Sequence, residues 1–168
     1  MRLSTRSRYG VRLMLQLAAN YRDGGVVRLA EIAKRQSVSV KYLEQIVLPL
    51  KLSGYVTSYR GARGGHKLAR HPGEISVGEV VALMEESVDV VECAGDPDIC
   101  ERSGECVTRR LWKDASEAFY RKLDATTFQD LLEQVGESGD ELQSPCLPLR
   151  RIRAPGKKTG RPSRSERG

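Results

Sequence analysis

The fold of this chain is decided by residues 29–70, LAEIAKRQSVSVKYLEQIVLPLKLSGYVTSYRGARGGHKLAR. Apolar residues recur at helical spacing in residues 29–36 and again in residues 41–54, which predicts two helices separated by the turn SVSV. Residues 55–60 and 66–70 alternate between apolar and polar positions around the Gly-rich turn GARGG, which predicts a β-hairpin. Two helices joined by a turn and followed by such a hairpin form a winged helix-turn-helix. We therefore predict a mainly α protein with a small β-hairpin wing.

Two further elements are predicted before this stretch, and one conflict lies within it. Apolar residues form one broad face over residues 4–22, which predicts a first helix that Ser4 or Thr5 can cap. The apolar pair at residues 26 and 27 predicts a short strand. Pro49 lies inside the third helix, where it removes a backbone donor, so we expect it to kink or shorten that helix.

Charge is strongly segregated along the chain. Residues 1–75 carry 14 Lys and Arg against 4 Asp and Glu, residues 76–149 carry 6 against 17, and residues 150–168 carry 8 against 1. A basic N-terminal block indicates a polyanion partner, and the alternative is a solvated basic face without a ligand. No apolar run approaches the roughly 20 residues that span a bilayer, and no secretory signal is apparent. We expect a cytoplasmic protein without membrane contact.

The chemistry of the basic block favours double-stranded DNA as the partner. Side chains at the start of the third helix can meet base edges, since Glu accepts from a cytosine amino group and Gln pairs with adenine. Arginines at the hairpin tip can enter a narrow, electronegative minor groove. The candidate contacts are Lys41, Tyr42, Glu44 and Gln45 on the helix, and Arg60 and Arg63 on the wing. A protein-interaction module of the same shape is the alternative, which the charge balance disfavours.

The second half of the chain predicts a dimerisation unit. A helix over residues 74–86 precedes a cysteine-rich loop, and a long helix over residues 107–125 follows it. The long helix carries an apolar stripe of Leu111, Trp112, Ala115, Phe119 and Leu123. This stripe is either part of an intrachain core or the seam of a homodimer, whose two-fold symmetry would match a palindromic operator. Thr127 and Asp130 predict the cap of a last helix that runs through Val135.

These patterns divide the chain into three parts. Residues 1–75 form the predicted winged helix-turn-helix DNA-binding domain, and residues 76–135 form the cysteine loop and the dimerisation helices. Residues 136–168 form a basic tail whose composition predicts disorder.

Three cysteines lie close together in residues 93–106, CAGDPDICERSGEC. Cys93, Cys100 and Cys106 lack the fourth Cys or His at short spacing that a structural zinc site requires, and a disulfide would be unusual in a reducing compartment. Three thiolates suit an iron–sulfur cluster, because one iron can accept a weaker ligand. Zinc and redox-active thiols are the alternatives, and Cys146 stands alone downstream. No nucleophile–base pair or carboxylate dyad indicates an enzyme.

Three stretches of the chain resemble a known family. They are MRLSTRSRYGVRLMLQLA, LAEIAKRQSVSVKYLEQIVLPLKLSGYVTSYRGARGGHKL and ISVGEVVALMEESVD, and their YLEQ and RGxxGG motifs are specific. Over roughly residues 1–135 the sequence is similar to the IscR/NsrR-type winged-helix transcription regulators, to which CymR is related. The resemblance implies a third helix that tolerates Pro49.

The resemblance implies a homodimer joined by a long helix, with an iron–sulfur cluster on three cysteines in several members. Cys93, Cys100 and Cys106 occupy that place, and we favour a 2Fe–2S over a 4Fe–4S cluster. Arg109 occupies the position of the histidine ligand of IscR. Arg8 occupies the position of the acidic ligand of NsrR, and we add it to the DNA-contact candidates. We therefore expect water, a small thiol or a nearby oxygen donor as the fourth ligand, with Cys146 as the second choice because of the entropy of closing the long intervening loop.

Three functional hypotheses follow. The leading one is a transcription regulator whose operator binding depends on the cluster. The first alternative is a cluster-free regulator of the same fold that is controlled by a partner protein or by thiol redox state. The second is an electron carrier or cluster donor, in which Arg60 and Arg63 on the wing would have no role.

Overall fold

The computed structural model describes residues 3–22, 24–85, 87 and 89–137. Residues 136 and 137 of the predicted tail belong to the last helix, and residues 138–168, with Cys146, lie outside these ranges. Within them the order is α1 (Thr5–Ala19), α2 (Leu29–Gln36), α3 (Val40–Leu52), β1 (Val56–Tyr59), β2 (Gly65–Leu68), α4 (Val77–Met84), α5 (Glu92–Gly95), α6 (Val107–Asp124) and α7 (Phe128–Glu137). Among these helices none has the length and apolar character needed to cross a membrane.

Helix α1 lies at the centre of the fold. The side chain of Ser4 caps its start by accepting a hydrogen bond from the backbone N–H of Ser7 at 3.0 Å. The helix packs against α3, α4 and α7. A Cβ at Gly10 would lie 3.3 Å from Met84 Cγ, so the small residue leaves the space that α4 needs. The fully buried stripe of α1 consists of Leu13, Met14 and Leu17.

The predicted helix-turn-helix is confirmed. Helix α2 ends at Ser37, whose backbone φ of 54° lies in the left-handed region and turns the chain toward α3. Ser39 caps α3 by accepting a hydrogen bond from the backbone N–H of Tyr42 at 3.1 Å. The side chains that fill the space between the helices are Ile32, Leu43, Ile46 and Leu50, all fully buried.

The third helix tolerates Pro49, as the family resemblance implies, although the proline rule alone predicted a kink or a shorter helix. The helix continues through it to Leu52, and the carbonyl of Pro49 still accepts the backbone N–H of Ser53 at 2.9 Å. A proline removes the bond to the carbonyl four residues earlier, which here belongs to Gln45. Because Gln45 lies on the exposed face of α3, water can replace the lost donor.

The wing is an antiparallel hairpin in which residues 56–59 pair with residues 65–68. The short strand predicted at residues 26 and 27 is a single β-bridge, in which Val27 and His66 exchange two backbone hydrogen bonds of 2.8 Å. Gly65 permits this approach, because a Cβ there would lie 2.5 Å from the carbonyl oxygen of Val27. The segment before α2 is thereby attached to the wing.

The helix predicted over residues 74–86 is shorter in the structure. A 3₁₀ turn at Pro72–Glu74 precedes α4, and Ser76 then caps it. Ser76 Oγ accepts from the Glu79 N–H at 3.1 Å, and Glu79 Oε2 accepts from the Ser76 N–H at 2.8 Å. This capping box fixes where the helix begins. Ser76 also forms a β-bridge with Thr127, which joins the start of α4 to the start of α7.

One hydrophobic core runs through both halves of the described chain. Phe128 of α7 and Val80 of α4 are fully buried and belong to the same cluster as Leu13 of α1. Each such side chain contributes about 1.5–3 kcal/mol on burial. The core therefore contains residues from both sides of residue 75, where the sequence predicts the end of the DNA-binding domain. The division into two domains stays a prediction.

Candidate DNA interface and cysteine segment

The exposed face of α3 carries three of the predicted DNA contacts. Lys41, Glu44 and Gln45 are exposed, whereas Leu43 and Ile46 beside them are fully buried in the core. The three polar side chains lie in the first two turns of the helix, the part of a recognition helix that reaches base edges.

Tyr42 has a packing role that its sequence position does not indicate. The side chain is half-buried, and its ring packs edge-on against Tyr9 of α1 with centroids 5.6 Å apart. The guanidinium of Arg12 lies 5.5 Å from the Tyr9 ring centroid. These contacts hold the start of α3 on α1.

The wing presents its two arginines at an exposed tip. Arg60 and Arg63 are exposed, and between them Gly61 has a φ of 103°, which favours glycine. Arg28 donates a hydrogen bond from Nη2 to the carbonyl of Ala62 at 2.5 Å. This tie between the start of α2 and the wing tip was missed from the sequence, where nothing pairs residues 34 positions apart.

Arg8 is exposed on α1, where it donates a hydrogen bond from Nη2 to Thr5 Oγ1 at 3.3 Å. Its hydrogen-bond acceptor, Thr5, belongs to the same helix, so the guanidinium remains accessible to a binding partner such as DNA.

The three clustered cysteines lie on separate local elements. Cys93 is half-buried in α5, Cys100 is exposed after the 3₁₀ turn Pro97–Ile99, and Cys106 is half-buried at the N-cap of α6. All three are free thiols. In the ranges that the structure describes, no three His, Cys, Asp or Glu side chains come together as a metal-binding group. The cysteines therefore share a segment without converging on one point.

Cys106 has a setting that favours its thiolate. A hydrogen bond from the Thr108 hydroxyl, with Sγ and Oγ1 3.1 Å apart, and next the backbone N–H of Arg109 lower the pKa of the Cys106 thiol. Thiolates are the form of cysteine that binds metal. Three free thiols in one short segment are the kind of donor that an iron–sulfur cluster uses.

Glu85, at the C-terminal end of α4, connects α1 to the chain that leads into the cysteine segment, residues 92–106. Its Oε1 accepts a hydrogen bond from the backbone N–H of Ser4 at 2.8 Å and a second from the hydroxyl of Ser7, which is fully buried. Burial raises the pKa of Glu85, but the bonds from Ser7 and Ser4 outweigh burial and leave that pKa lowered. The sequence contained one signal of this contact, a serine at residue 7 that lies two helical turns before Met14 on the same face of α1.

Ser116 connects the same segment to α6. Its hydroxyl is buried, accepts from the backbone N–H of Val90 at 2.9 Å and donates to the carbonyl of Trp112 at 2.9 Å. Glu85 is thus attached to α1, and Val90 is attached to α6.

The predicted stripe on α6 is only partly covered within one chain. Leu111 is 58% exposed and Trp112 is 40% exposed, whereas Ala115, Phe119 and Leu123 are half-buried. Leu123 packs against the core, so the intrachain interpretation holds for that end of the helix. The end nearer the cysteines leaves its apolar side chains in solvent.

Fold and sites together define a winged-helix DNA-binding protein. The family model Rrf2, described as an iron-dependent transcriptional regulator, matches residues 3–134. The chain belongs to the Rrf2 family of transcriptional regulators, which confirms the predicted family and the prediction that it is not an enzyme.

Two curated relatives illustrate the similarity. Protein rrf2 of Nitratidesulfovibrio vulgaris is 44% identical over 132 residues, which cover 79% of this chain and 87% of the relative. The HTH-type transcriptional regulator IscR of Klebsiella pneumoniae is 41% identical over 132 residues, which cover 79% of this chain and 80% of the relative.

Solved structures agree on the fold. IscR of T. potens is 34% identical with a TM-score of 0.68, over 83% of this chain and 91% of that one. CymR, the global cysteine regulator of B. subtilis, is 35% identical with a TM-score of 0.67, over 80% of this chain and 98% of that one.

We predict that the hydrogen bonds of Glu85 make stability depend on pH. Because the folded-state pKa of Glu85 is lowered, its contribution is present above the ordinary glutamate pKa and is lost as pH falls through the folded value. Ser7→Ala removes the donating hydroxyl and should lower the free energy of unfolding by about 1–3 kcal/mol at pH 7. Chemical denaturation followed by circular dichroism at several pH values measures both effects.

The control for this prediction is Glu101→Gln, the same chemical change at an exposed carboxylate of the cysteine segment. Glu85→Gln should flatten the acid limb of the stability curve, and Glu101→Gln should not. Equal curves for the two variants would contradict the assignment.

Proposed function

We propose that this protein binds a palindromic operator as a cytoplasmic homodimer, under the control of an iron–sulfur cluster held by Cys93, Cys100 and Cys106. A 2Fe–2S cluster is favoured over a 4Fe–4S cluster. The observation that carries the DNA-binding part is the row of exposed polar side chains on α3, Lys41, Glu44 and Gln45, above a fully buried core.

Base reading is assigned to α3 and backbone contact to the wing. Gln45 has donor and acceptor groups that match adenine, and Glu44 can accept from cytosine. Arg60 and Arg63 supply positive charge at the exposed tip, and the bond from Arg28 to the Ala62 carbonyl restricts where that tip points. Restricting the tip reduces the entropy lost when it meets DNA.

The homodimer proposal rests on the uncovered part of α6. Leu111 at 58% exposure and Trp112 at 40% lie one turn before the half-buried Ala115 and two turns before the half-buried Phe119 on the same helix face. Large apolar side chains grouped on one face mark an interaction surface. A second copy would cover it symmetrically, because an isologous interface uses the same patch on both chains.

The cysteine segment is the proposed sensory element. When bound, a cluster would link the three thiolates covalently. These links would form only when iron is available and would be lost when oxidation destroys the cluster. The chain itself supplies the connections outward: Glu85 bonds to the start of α1, and Ser116 of α6 bonds to Val90. A change in the order of this segment is therefore passed both to the helix that supports α3 and to the proposed dimer helix.

A cluster-free regulator controlled by thiol oxidation or by a partner protein is the second candidate. Its support is that the three described cysteines are free thiols and that structural neighbours include the oxidised form of Staphylococcus aureus CymR, 35% identical with a TM-score of 0.63. Absorbance in the visible range after anaerobic purification separates the two candidates, since thiols alone are colourless there.

The DNA interface should separate into a sequence-reading part and a backbone part. Gln45→Ala should change the preferred base at one operator position, and Arg60→Ala should weaken all sequences alike, each by about 1–3 kcal/mol. Binding curves on an operator and on its single-base variants measure both effects. Lys113→Ala, an exposed cation on α6, is the control and should leave affinity unchanged. A uniform loss for Gln45→Ala would refute its role as a base reader.

The dimer should depend on the α6 stripe. Leu111→Asp combined with Phe119→Asp places two carboxylates in an apolar seam, so sedimentation should show monomers and operator binding should be lost. Lys113→Asp puts the same group on the opposite face of the helix and should remain dimeric. A monomeric unaltered protein at micromolar concentration rules the proposal out.

Cluster binding should require the three clustered cysteines and no fourth one. Alanine replacement of Cys93, Cys100 or Cys106 should abolish the visible absorbance and the Mössbauer signal of the anaerobic protein. Cys146→Ala is the control and should leave both intact. If Cys146→Ala removes the cluster as completely as Cys106→Ala, a cysteine is the fourth ligand and the proposed donor set is wrong.

A further inference from the structure

Arg109 joins the first cysteine of the segment to the helix that follows the last one. Its side chain donates from Nε to the carbonyl oxygen of Cys93 at 2.6 Å and from Nη2 to the carbonyl of Ala94 at 3.4 Å. Arg109 lies in the first turn of α6, three residues after Cys106 at the N-cap. One residue of α6 therefore holds the backbone of the first cysteine near the start of the helix whose N-cap is the last one, across 16 positions of sequence.

The carbonyls that Arg109 binds have no helical partners. Helix α5 has only four residues, and the last four carbonyls of any helix lack intrahelical donors. The carbonyl of Glu92 is bonded by the backbone N–H of Asp96 at 3.0 Å, which leaves those of Cys93 and Ala94 to the guanidinium. A charged donor at a helix C-terminus also interacts favourably with the helix dipole.

The fork shape of the guanidinium matters as well as its charge. Nε and Nη2 address two successive carbonyls at once, which a single ammonium group cannot reproduce with the same geometry. Ala94 is 4% exposed, so the bonded turn is packed against the protein. A Cβ at Gly95 would overlap the carboxylate of Asp89, which leaves the turn little room to move in that direction.

We propose that Arg109 is a positioning residue that holds Cys93 close to the start of α6 before any metal arrives, and that it is not itself a ligand. This inference rests on the proposed cluster-binding function of the three cysteines. Closing the segment in the metal-free protein removes conformational freedom that metal binding would otherwise have to remove. The donor groups of Arg109 are directed at main-chain carbonyls.

The first test uses the metal-free protein under anaerobic, reducing conditions. Arg109→Gln removes the charged fork, Arg109→Lys keeps the charge without the fork, and Arg110→Gln removes the charge of the exposed neighbour. Hydrogen exchange over residues 92–106 should be about 10- to 100-fold faster in Arg109→Gln, the size expected for losing a charged hydrogen bond. Arg109→Lys should lie between, and Arg110→Gln should match the unaltered protein. Exchange in α1 serves as the internal reference for correct folding.

The second test reconstitutes the cluster with ferrous iron and sulfide. Arg109→Gln should give the same visible spectrum as the unaltered protein, because the ligands are unchanged, but should release iron to a chelator about 10- to 100-fold faster. A changed spectrum would make Arg109 a ligand and overturn the proposal. Unchanged exchange in the metal-free Arg109→Gln protein would overturn it equally.

The two tests distinguish this inference from the proposed function. If the unaltered protein forms no cluster, the proposed function fails, while the exchange of Arg109→Gln against Arg110→Gln still decides whether Arg109 holds the segment closed.

Discussion

The central position of α1 is the constraint on which the other contacts depend. Its buried stripe packs toward α3, α4 and α7, and Gly10 lets Met84 approach closely. Tyr9 on the same helix holds Tyr42 at the start of α3, and Ser7 holds Glu85 at the end of α4. Helix α3 and the end of α4 before the cysteines are therefore attached to one element. A shift of α1 would move both, because a close-packed core transmits displacement rather than absorbing it.

The cysteine segment is fastened near its ends and open in its middle. Glu85 and Ser116 attach the stretch before α5, and Arg109 attaches α5 to the start of α6. Cys100, by contrast, lies exposed between these attachments. Such an arrangement suits a sensory element, since its outer cysteines keep their places while the middle one can adjust to a ligand. This interpretation belongs to the proposed function and depends on the same three thiols.

Two surfaces of the chain differ in their chemistry. The N-terminal block is basic and exposes polar side chains on α3 and arginines on the wing. Helix α6 exposes apolar side chains instead, led by Leu111 and Trp112. A polyanion and a second apolar face are the partners that these surfaces suit. Both surfaces are supported by the single core, so binding at one is mechanically connected to the other.

The sequence by itself determined the order of elements, the winged-helix class and the family. These depend on local periodicity, turn residues and the YLEQ and RGxxGG motifs, which short windows of sequence contain. It also indicated the exposed side chains of α3 and the cysteine group. The true start of α4 was missed, although the Ser76 and Glu79 capping box was present in the sequence. The passage of α3 through Pro49 contradicted a local rule, because an exposed face tolerates one lost bond.

Only the tertiary structure decided the long-range contacts. The bonds of Glu85 to Ser4 and Ser7, of Arg28 to the wing tip and of Arg109 to Cys93 join residues 16 to 81 positions apart. Local propensity cannot indicate such pairs. A short stretch of sequence does not show whether an Arg or Glu side chain hydrogen-bonds to water or to a residue far along the chain. The bond of Glu85 forms when folding brings the buried Ser7 hydroxyl within reach, where an unmade hydrogen bond is costly. Tyr42, a candidate contact by its sequence position, is also a packing residue, because the fold brings its ring against Tyr9 of α1.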